Sequence, residues 1–121
     1  MNAATTSSGL DAFLKYLHEV EQDYHIAEAE EQEASSITQD ILHDIELRDH
    51  TYHENANLTK ELKASRVARR KAKDKMDAAG PILSWVENHR ATVKELEQLL
   101  GVVRKAERNA EGRIYTPRVR R

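Results

Sequence analysis

The sequence predicts an all-α protein, built as a long antiparallel helical hairpin or a three-helix coiled-coil-like bundle. Charged residues make up 33% of the 121 residues, with only two prolines and four glycines, which is typical of long helices. Apolar residues recur at alternating intervals of three and four, which places them on one stripe of an α-helix. Aromatic residues are only 5% of the chain, which leaves little material for a thick core. A long helix cannot bury itself alone, and Ser65, Arg69 and Ala72 leave the second predicted helix poorly packed, so we expect a homodimer.

The first predicted helix covers residues 10–47, after a leader at 1–9 that we expect to be disordered. Ser8 and Asp11 have the spacing of a capping box at its start. The apolar stripe loses its phase at Glu31, and a second capping signal at Ser36 leaves open whether this segment is one helix or two. The stripe consists of Leu10, Phe13, Leu17, Val20, Tyr24 and Ala27, then Ala34, Ile37, Ile41 and Ile45.

The second and third predicted helices cover residues 52–79 and 82–110. Thr51 and Glu54 have capping-box spacing. Gly80 and Pro81 form the strongest stop signal, because glycine can close a helix and proline can open the next. The third helix has the most regular stripe, and it completes a helical domain at 10–111. Residues 112–121 are expected to form an extended basic tail.

The composition favours a non-enzymatic protein without a cofactor. The chain has no cysteine, and it shows neither a phosphate-binding loop nor a nucleophile motif. His50, His53 and Glu54 are the best candidates for a metal site, but their spacing matches no zinc signature, so we predict none. No apolar run near the N-terminus suits a signal peptide or a membrane span, and we predict a cytoplasmic protein.

Charge is divided unequally along the chain. Residues 1–60 contain thirteen acids and three bases, whereas residues 61–121 contain eight acids and sixteen bases. Such a split arises either from two halves that neutralise each other on folding, or from two surfaces with different partners.

Two sets of charged residues are candidate binding sites. The first is an acidic strip on the first helix that would fit a basic protein groove; it consists of Glu28, Glu30, Glu31 and Glu33. The second is a basic face suited to phosphates, to a protein or to internal ion pairs; it consists of Arg66, Arg69, Arg70, Lys73, Arg104 and Arg108.

Three segments resemble a pattern in small helical proteins of phages and prophages of Gram-positive bacteria. These segments are ILHDIEL from residue 41, LTKELKASRVARRKAKDK from residue 58 and LLGVVRKAERNAEGRIYTPRV from residue 99. The resemblance covers about residues 37–119, and RIYTPRV is its most distinctive piece. It implies a phage accessory role, since the group includes inhibitors of host defence, among them anti-CRISPR proteins that act on Cas9-type nucleases. It assigns no functional residue.

We therefore hypothesise that the chain binds and inhibits a nucleic-acid-handling defence protein of the host cell, such as a CRISPR effector with its guide RNA. In this hypothesis the acidic strip occupies a cationic channel and the basic face fixes the orientation. One alternative is a nucleic-acid-binding module of phage replication or recombination. Another is a coiled-coil scaffold whose charges serve pairing and solubility.

Overall fold

The computed structural model of the chain describes residues 5–112. Helix α1 spans Thr6–Leu47, α2 spans Tyr52–Asn88 and α3 spans Arg90–Glu111. No strand occurs between residues 5 and 112, so the all-α fold class is confirmed. The predicted basic tail lies outside the described residues, apart from Gly112, which forms a turn.

Helix α1 begins earlier than the sequence predicted. The Thr5 hydroxyl accepts a hydrogen bond from the Ser8 amide at 3.2 Å, and the Ser8 hydroxyl accepts one from the Thr5 amide at 2.9 Å. This reciprocal capping box satisfies two amides at the helix start. The predicted Ser8 and Asp11 box is therefore wrong, as is the disordered leader for residues 6–9. Residues 1–4 lie outside the described part of the chain.

Helix α1 is one continuous helix of 42 residues, about 63 Å long. The possible break at Ser36 does not occur. Val20, Ala27, Ala34 and Ile41 are all buried, and each is seven residues from the next. These buried residues form the seam of α1, the line along which it packs on α2, and the seam keeps one phase along the helix. The predicted shift of phase was wrong, because it relied on Ile37, whose side chain is exposed.

The predicted helix end at Gly80 and Pro81 is also wrong. Helix α2 continues through both residues to Asn88, and no described glycine has a positive φ. Proline inside a helix removes one hydrogen bond and costs about 3 kcal/mol. Burial of Leu83 and Val86 beyond it offsets that cost. The chain breaks instead at His89, with φ −129 and ψ 34, so the predicted bounds of 52–79 and 82–110 do not hold.

Helices α1 and α2 form the antiparallel hairpin. Thr38 contacts Ser65 and Glu31 contacts Arg69, so residue numbers fall along α1 as they rise along α2. Helix α3 also runs antiparallel to α1, along its first part. Its contacts are Arg104 with Asp11 and Glu107 with the Ser7 amide. Helix α3 therefore continues the second arm of the hairpin beyond the break at His89 and packs mainly against the first part of α1.

Candidate functional site

The acidic strip and the basic face meet at the seam of the hairpin. The Arg69 Nε donates to the Glu31 carboxylate at 3.0 Å, and the Ser35 hydroxyl donates to the same oxygen at 3.0 Å. These bonds, the one from Arg69 foremost, hold the pKa of Glu31 below its ordinary value of 4.5. The pair therefore stabilises the fold above about pH 4.5, and this contribution is lost as pH falls through the lowered pKa.

The four residues of the predicted strip do not lie on one face of α1. Glu30 lines a groove with Lys75 on one side of the hairpin. Glu28 lies two residues earlier, so it points about 200° away on the helix, and Glu33 is exposed. The predicted strip is thus divided: one member is used in the seam, one lines a groove, and Glu28 and Glu33 lie outside both.

Most of the negative charge of α1 is not neutralised by the rest of the described chain. The helix contains eleven acids and one lysine. Only Asp11, Glu31 and Asp44 have an arginine or lysine partner within residues 5–112. The remaining acids form a dense stretch; six of them are Glu19, Glu21, Asp23, Glu28, Glu30 and Glu33. These six acids span about 21 Å of the helix axis, which is one acid about every 4 Å on average, compared with one phosphate every 3.4 Å along one DNA strand.

Four members of the basic face lie together on α2. Arg66, Arg69, Arg70 and Lys73 line one surface depression of about 520 Å³, to which Asp74 and Asp77 contribute acidic groups at one end. Of the four bases, only Arg69 forms an ion pair with a described acid. Arginine and lysine side chains in this arrangement can bind an anion such as a phosphate group.

The two basic residues on α3 do not extend this depression. Arg104 pairs with Asp11 at 3.2 Å, whereas Arg69 pairs with Glu31. Asp11 and Glu31 are about 30 Å apart along α1. Arg108 lies one turn beyond Arg104, in the last turn of α3. The continuous six-residue basic face is therefore wrong, because α3 follows the first part of α1 and does not approach the middle of α2.

The histidine that the sequence suggested as a metal ligand holds the α1–α2 turn instead. His50 Nδ1 lies 3.0 Å from the Glu54 carboxylate, and His50 Nε2 lies 3.0 Å from the Asp44 carbonyl oxygen. A protonated ring donates both bonds, and these two contacts raise the pKa of His50 above its ordinary 6.5. Within residues 5–112, no group of three or more metal-ligating side chains is arranged to hold an ion.

An apolar groove on the other side of the hairpin was missed by the sequence reasoning. It has a volume of about 430 Å³. Its apolar lining comprises Tyr16, Val20, Ile26, Ala27, Ala78, Ala79 and Ile82, with Asp23, Glu30 and Lys75 as charged residues. The available signal was Ile26, which is apolar but lies off the stripe that contains Ala27.

Comparison of the chain with protein families, with curated proteins and with solved structures found no match. None of the helices within residues 5–112 is long and apolar enough to cross a membrane.

Proposed function

We propose that this protein is a non-enzymatic phage accessory protein that binds and inhibits a nucleic-acid-handling defence protein in the cytoplasm of the bacterial host. The acidic surface of α1 supports this proposal, since eight of its eleven acids have no arginine or lysine partner in the described chain. A protein groove that binds nucleic acid is lined by positive charge, and a helix with a high density of unpaired carboxylates is complementary to it. Binding there would exclude the nucleic acid.

The helical hairpin suits this role because it presents the carboxylates on a continuous helix. Burial of Ala27, Ala34 and Ala72 along the seam holds that part of α1 against α2. Ordering of the acidic surface is therefore part of folding and does not have to be added on binding. The basic depression of α2 lies at the same level of the hairpin and would contact guide RNA or an acidic part of the same partner.

The test is a cleavage assay with a guide-loaded Cas9-type nuclease and a labelled target duplex. The strip variant carries Glu28→Lys and Glu33→Lys, and it leaves Glu30 in the groove and Glu31 in the seam. The control variant carries Glu87→Lys and Glu95→Lys, two exposed acids on α2 and α3. Both variants change the net charge of the protein equally.

We expect the wild type and the control variant to inhibit cleavage, and we expect the strip variant to need about tenfold more protein or more, because like charges then face each other. Equal inhibition by both variants would contradict the acidic-strip mechanism. Absence of inhibition by the wild type would contradict a Cas9-type target. Circular dichroism of each variant establishes that the helical content is retained.

A second candidate function is nucleic-acid binding, and the basic depression on α2 favours it. Arg66, Arg70 and Lys73 have no ion-pair partner among the described residues. Fluorescence anisotropy with labelled DNA and RNA at low and physiological salt tests this function. It predicts salt-steep binding, and replacing all three bases with glutamine should reduce the slope of log affinity against log salt by about two to three. An unchanged slope would contradict phosphate contact by these residues.

The homodimer expected from the sequence is also part of the proposal. The scaffold alternative shares this feature, but it predicts self-association without a further tight partner. The cleavage and anisotropy experiments distinguish the two, since a scaffold would give no signal in either.

A further inference from the structure

The apolar groove combines small and large side chains in a way that suits a second helix pair. Ala27, Ala78 and Ala79 form shallow parts of its lining, and Ile26 and Ile82 stand beside them. The side chain of Ile26 is 57% exposed. An exposed branched side chain next to alanines is the arrangement of a knob beside a hole. The groove covers about 21 Å of α1, from Tyr16 to Glu30.

The charges at the groove divide between its two walls. Asp23 and Glu30 belong to the α1 wall, and Lys75 belongs to the α2 wall. None of the three forms an ion pair with another described residue within 4.0 Å. A complementary occupant therefore needs positive charge opposite α1, negative charge opposite α2 and apolar side chains between them. A second copy of the groove, rotated by half a turn to face the first, has this distribution of charged and apolar side chains.

We propose that this groove is the contact surface of a two-fold symmetric homodimer, in which α1 of each copy packs on α2 of the other. This proposal identifies the contact surface of the homodimer that is part of the proposed function. It does not depend on Glu28 or Glu33, the residues that test the proposed inhibition. The occupant is a second copy of this chain because the groove is complementary in charge and shape to itself.

The two-fold axis follows from electrostatics. Hairpins that pack face to face can be related by an axis perpendicular to the helices in the interface plane, or by an axis parallel to the helices. The perpendicular axis places α1 on α1, and each α1 carries eleven acids and one lysine. Such juxtaposition of like charge is unfavourable. The parallel axis places α1 on α2 at the same level of the hairpin, so Glu30 of each copy faces Lys75 of the other.

The same arrangement places large side chains opposite small ones. The ring of Tyr24 is the nearest group to Gly80 across the seam, so residues near 26 on α1 are level with residues near 78 on α2. Ile26 of one copy then lies over Ala78 and Ala79 of the other, and symmetry makes this contact twice. The packing is that of a four-helix bundle.

The surface area of the chain is sufficient for such an interface. The chain exposes 10057 Å², whereas a compact protein of 13.9 kDa exposes about 6,700 Å². A standard interface covers about 800 Å² of each partner, which is well below the difference. The elongated hairpin therefore has enough side surface for the dimer and for Glu28 and Glu33, which lie outside the groove.

Size-exclusion chromatography with multi-angle light scattering on the full chain at micromolar concentrations tests the proposal. We expect a mass of twice 13.9 kDa for the wild type. Ile26→Glu should raise the dimer dissociation constant about thirtyfold or more, since it places a charge in the apolar contact. Val67→Glu is the matched control, because Val67 is 47% exposed and lies outside the groove. Circular dichroism monitors folding of both variants.

A mixing experiment tests the pairing of helices without relying on loss of apolar contact. Lys75→Glu and Glu30→Lys, each alone, place like charges opposite each other in both symmetric contacts and should weaken self-association about tenfold. Mixing the two variants makes both contacts attractive, so a heterodimer of near wild-type affinity should form. Restoration only on mixing requires contact between chains.

Three results would overturn the proposal: a monomeric wild type at high micromolar concentration, dissociation by Val67→Glu with Ile26→Glu unaffected, or no recovery on mixing. A monomer that still inhibits cleavage would overturn the dimer and leave the proposed function standing. A dimer that does not inhibit cleavage would overturn the proposed function and leave the dimer standing.

Discussion

The two ends of the hairpin are packed by different means. At the end that α3 joins, the buried residues are large and apolar, among them Leu14, Leu17, Leu83 and Leu100. From Ala27 onward toward the α1–α2 turn, most buried residues are small or polar. These are Ala27, Ala34, Ser65 and Ala72, together with Ile41. Because its buried side chains are larger, the first region supplies most of the hydrophobic stabilisation. The candidate binding residues Glu28 and Glu33 and the basic depression lie beside the second region.

The largest expected effect is at the apolar end. Leu83→Ala should lower the free energy of unfolding by about 2 to 5 kcal/mol, because it removes a buried side chain and leaves a cavity. Urea denaturation followed by circular dichroism measures this. Leu99→Ala is the control, since Leu99 is 49% exposed, and its change should stay within about 0.5 kcal/mol. Equal losses for both would contradict a core at this end.

The close seam of the second region gives the next effect. Ala72 is 0% exposed, so Ala72→Leu should force the helices apart and cost about 1 to 3 kcal/mol. Ala68→Leu, at an exposed position of the same helix, should change stability little. If Ala72→Leu stabilises the protein, the helices do not pack as closely as the seam requires.

A smaller effect is expected at the polar contact in the same region. The Thr38 and Ser65 hydroxyl oxygens lie 2.8 Å apart, and each also lies 2.8 to 2.9 Å from a carbonyl of its own helix. Thr38→Val keeps the shape and removes the bond between the helices, while Ser65 can still donate to the Leu62 carbonyl. The expected loss is about 0.5 to 1.5 kcal/mol, measured by the same denaturation. A loss as large as that of Leu83→Ala would contradict the contrast between the ends.

The smallest effect is a dependence on pH at the α1–α2 turn. Hydrogen bonding to the Glu54 carboxylate raises the pKa of His50 above 6.5, so the folded protein binds this proton more tightly than the unfolded chain does. The resulting stabilisation is present below pH 6.5 and is lost as pH rises through the raised pKa. The melting temperature, measured at a series of pH values from 6.5 upward, should decline through the raised pKa of His50. The His50→Gln variant should lack this decline. An unchanged decline would assign it to another group.

The fold class and the α1–α2 turn could be predicted because they depend on local features. The three-four stripe and the Thr51 cap act within a few residues along the chain. The helix end at Gly80 and Pro81 could not be predicted correctly, because the stop signal is local while burial of Leu83 and Val86 comes from α1. Tertiary packing decided between them.

The candidate site was predictable in composition but not in arrangement. Each charged residue was identified from the sequence, but the register of two helices decides which acid meets which base. Glu31 and Arg69, predicted for two different surfaces, pair with each other. Arg104 is separated from the α2 bases because α3 follows the first part of α1. A shift of one helical turn between α1 and α2 would have paired different acids with different bases.

The proposed function requires that the acids of α1 beside the second region are available to a basic partner. Isothermal titration of the protein with an arginine oligomer, at low and physiological salt, tests this most directly because it needs no knowledge of the natural target. We expect salt-dependent binding that the strip variant, with Glu28→Lys and Glu33→Lys, weakens much more than the control variant, with Glu87→Lys and Glu95→Lys. Equal weakening by both variants would show that only net charge matters and would contradict a defined acidic site on α1.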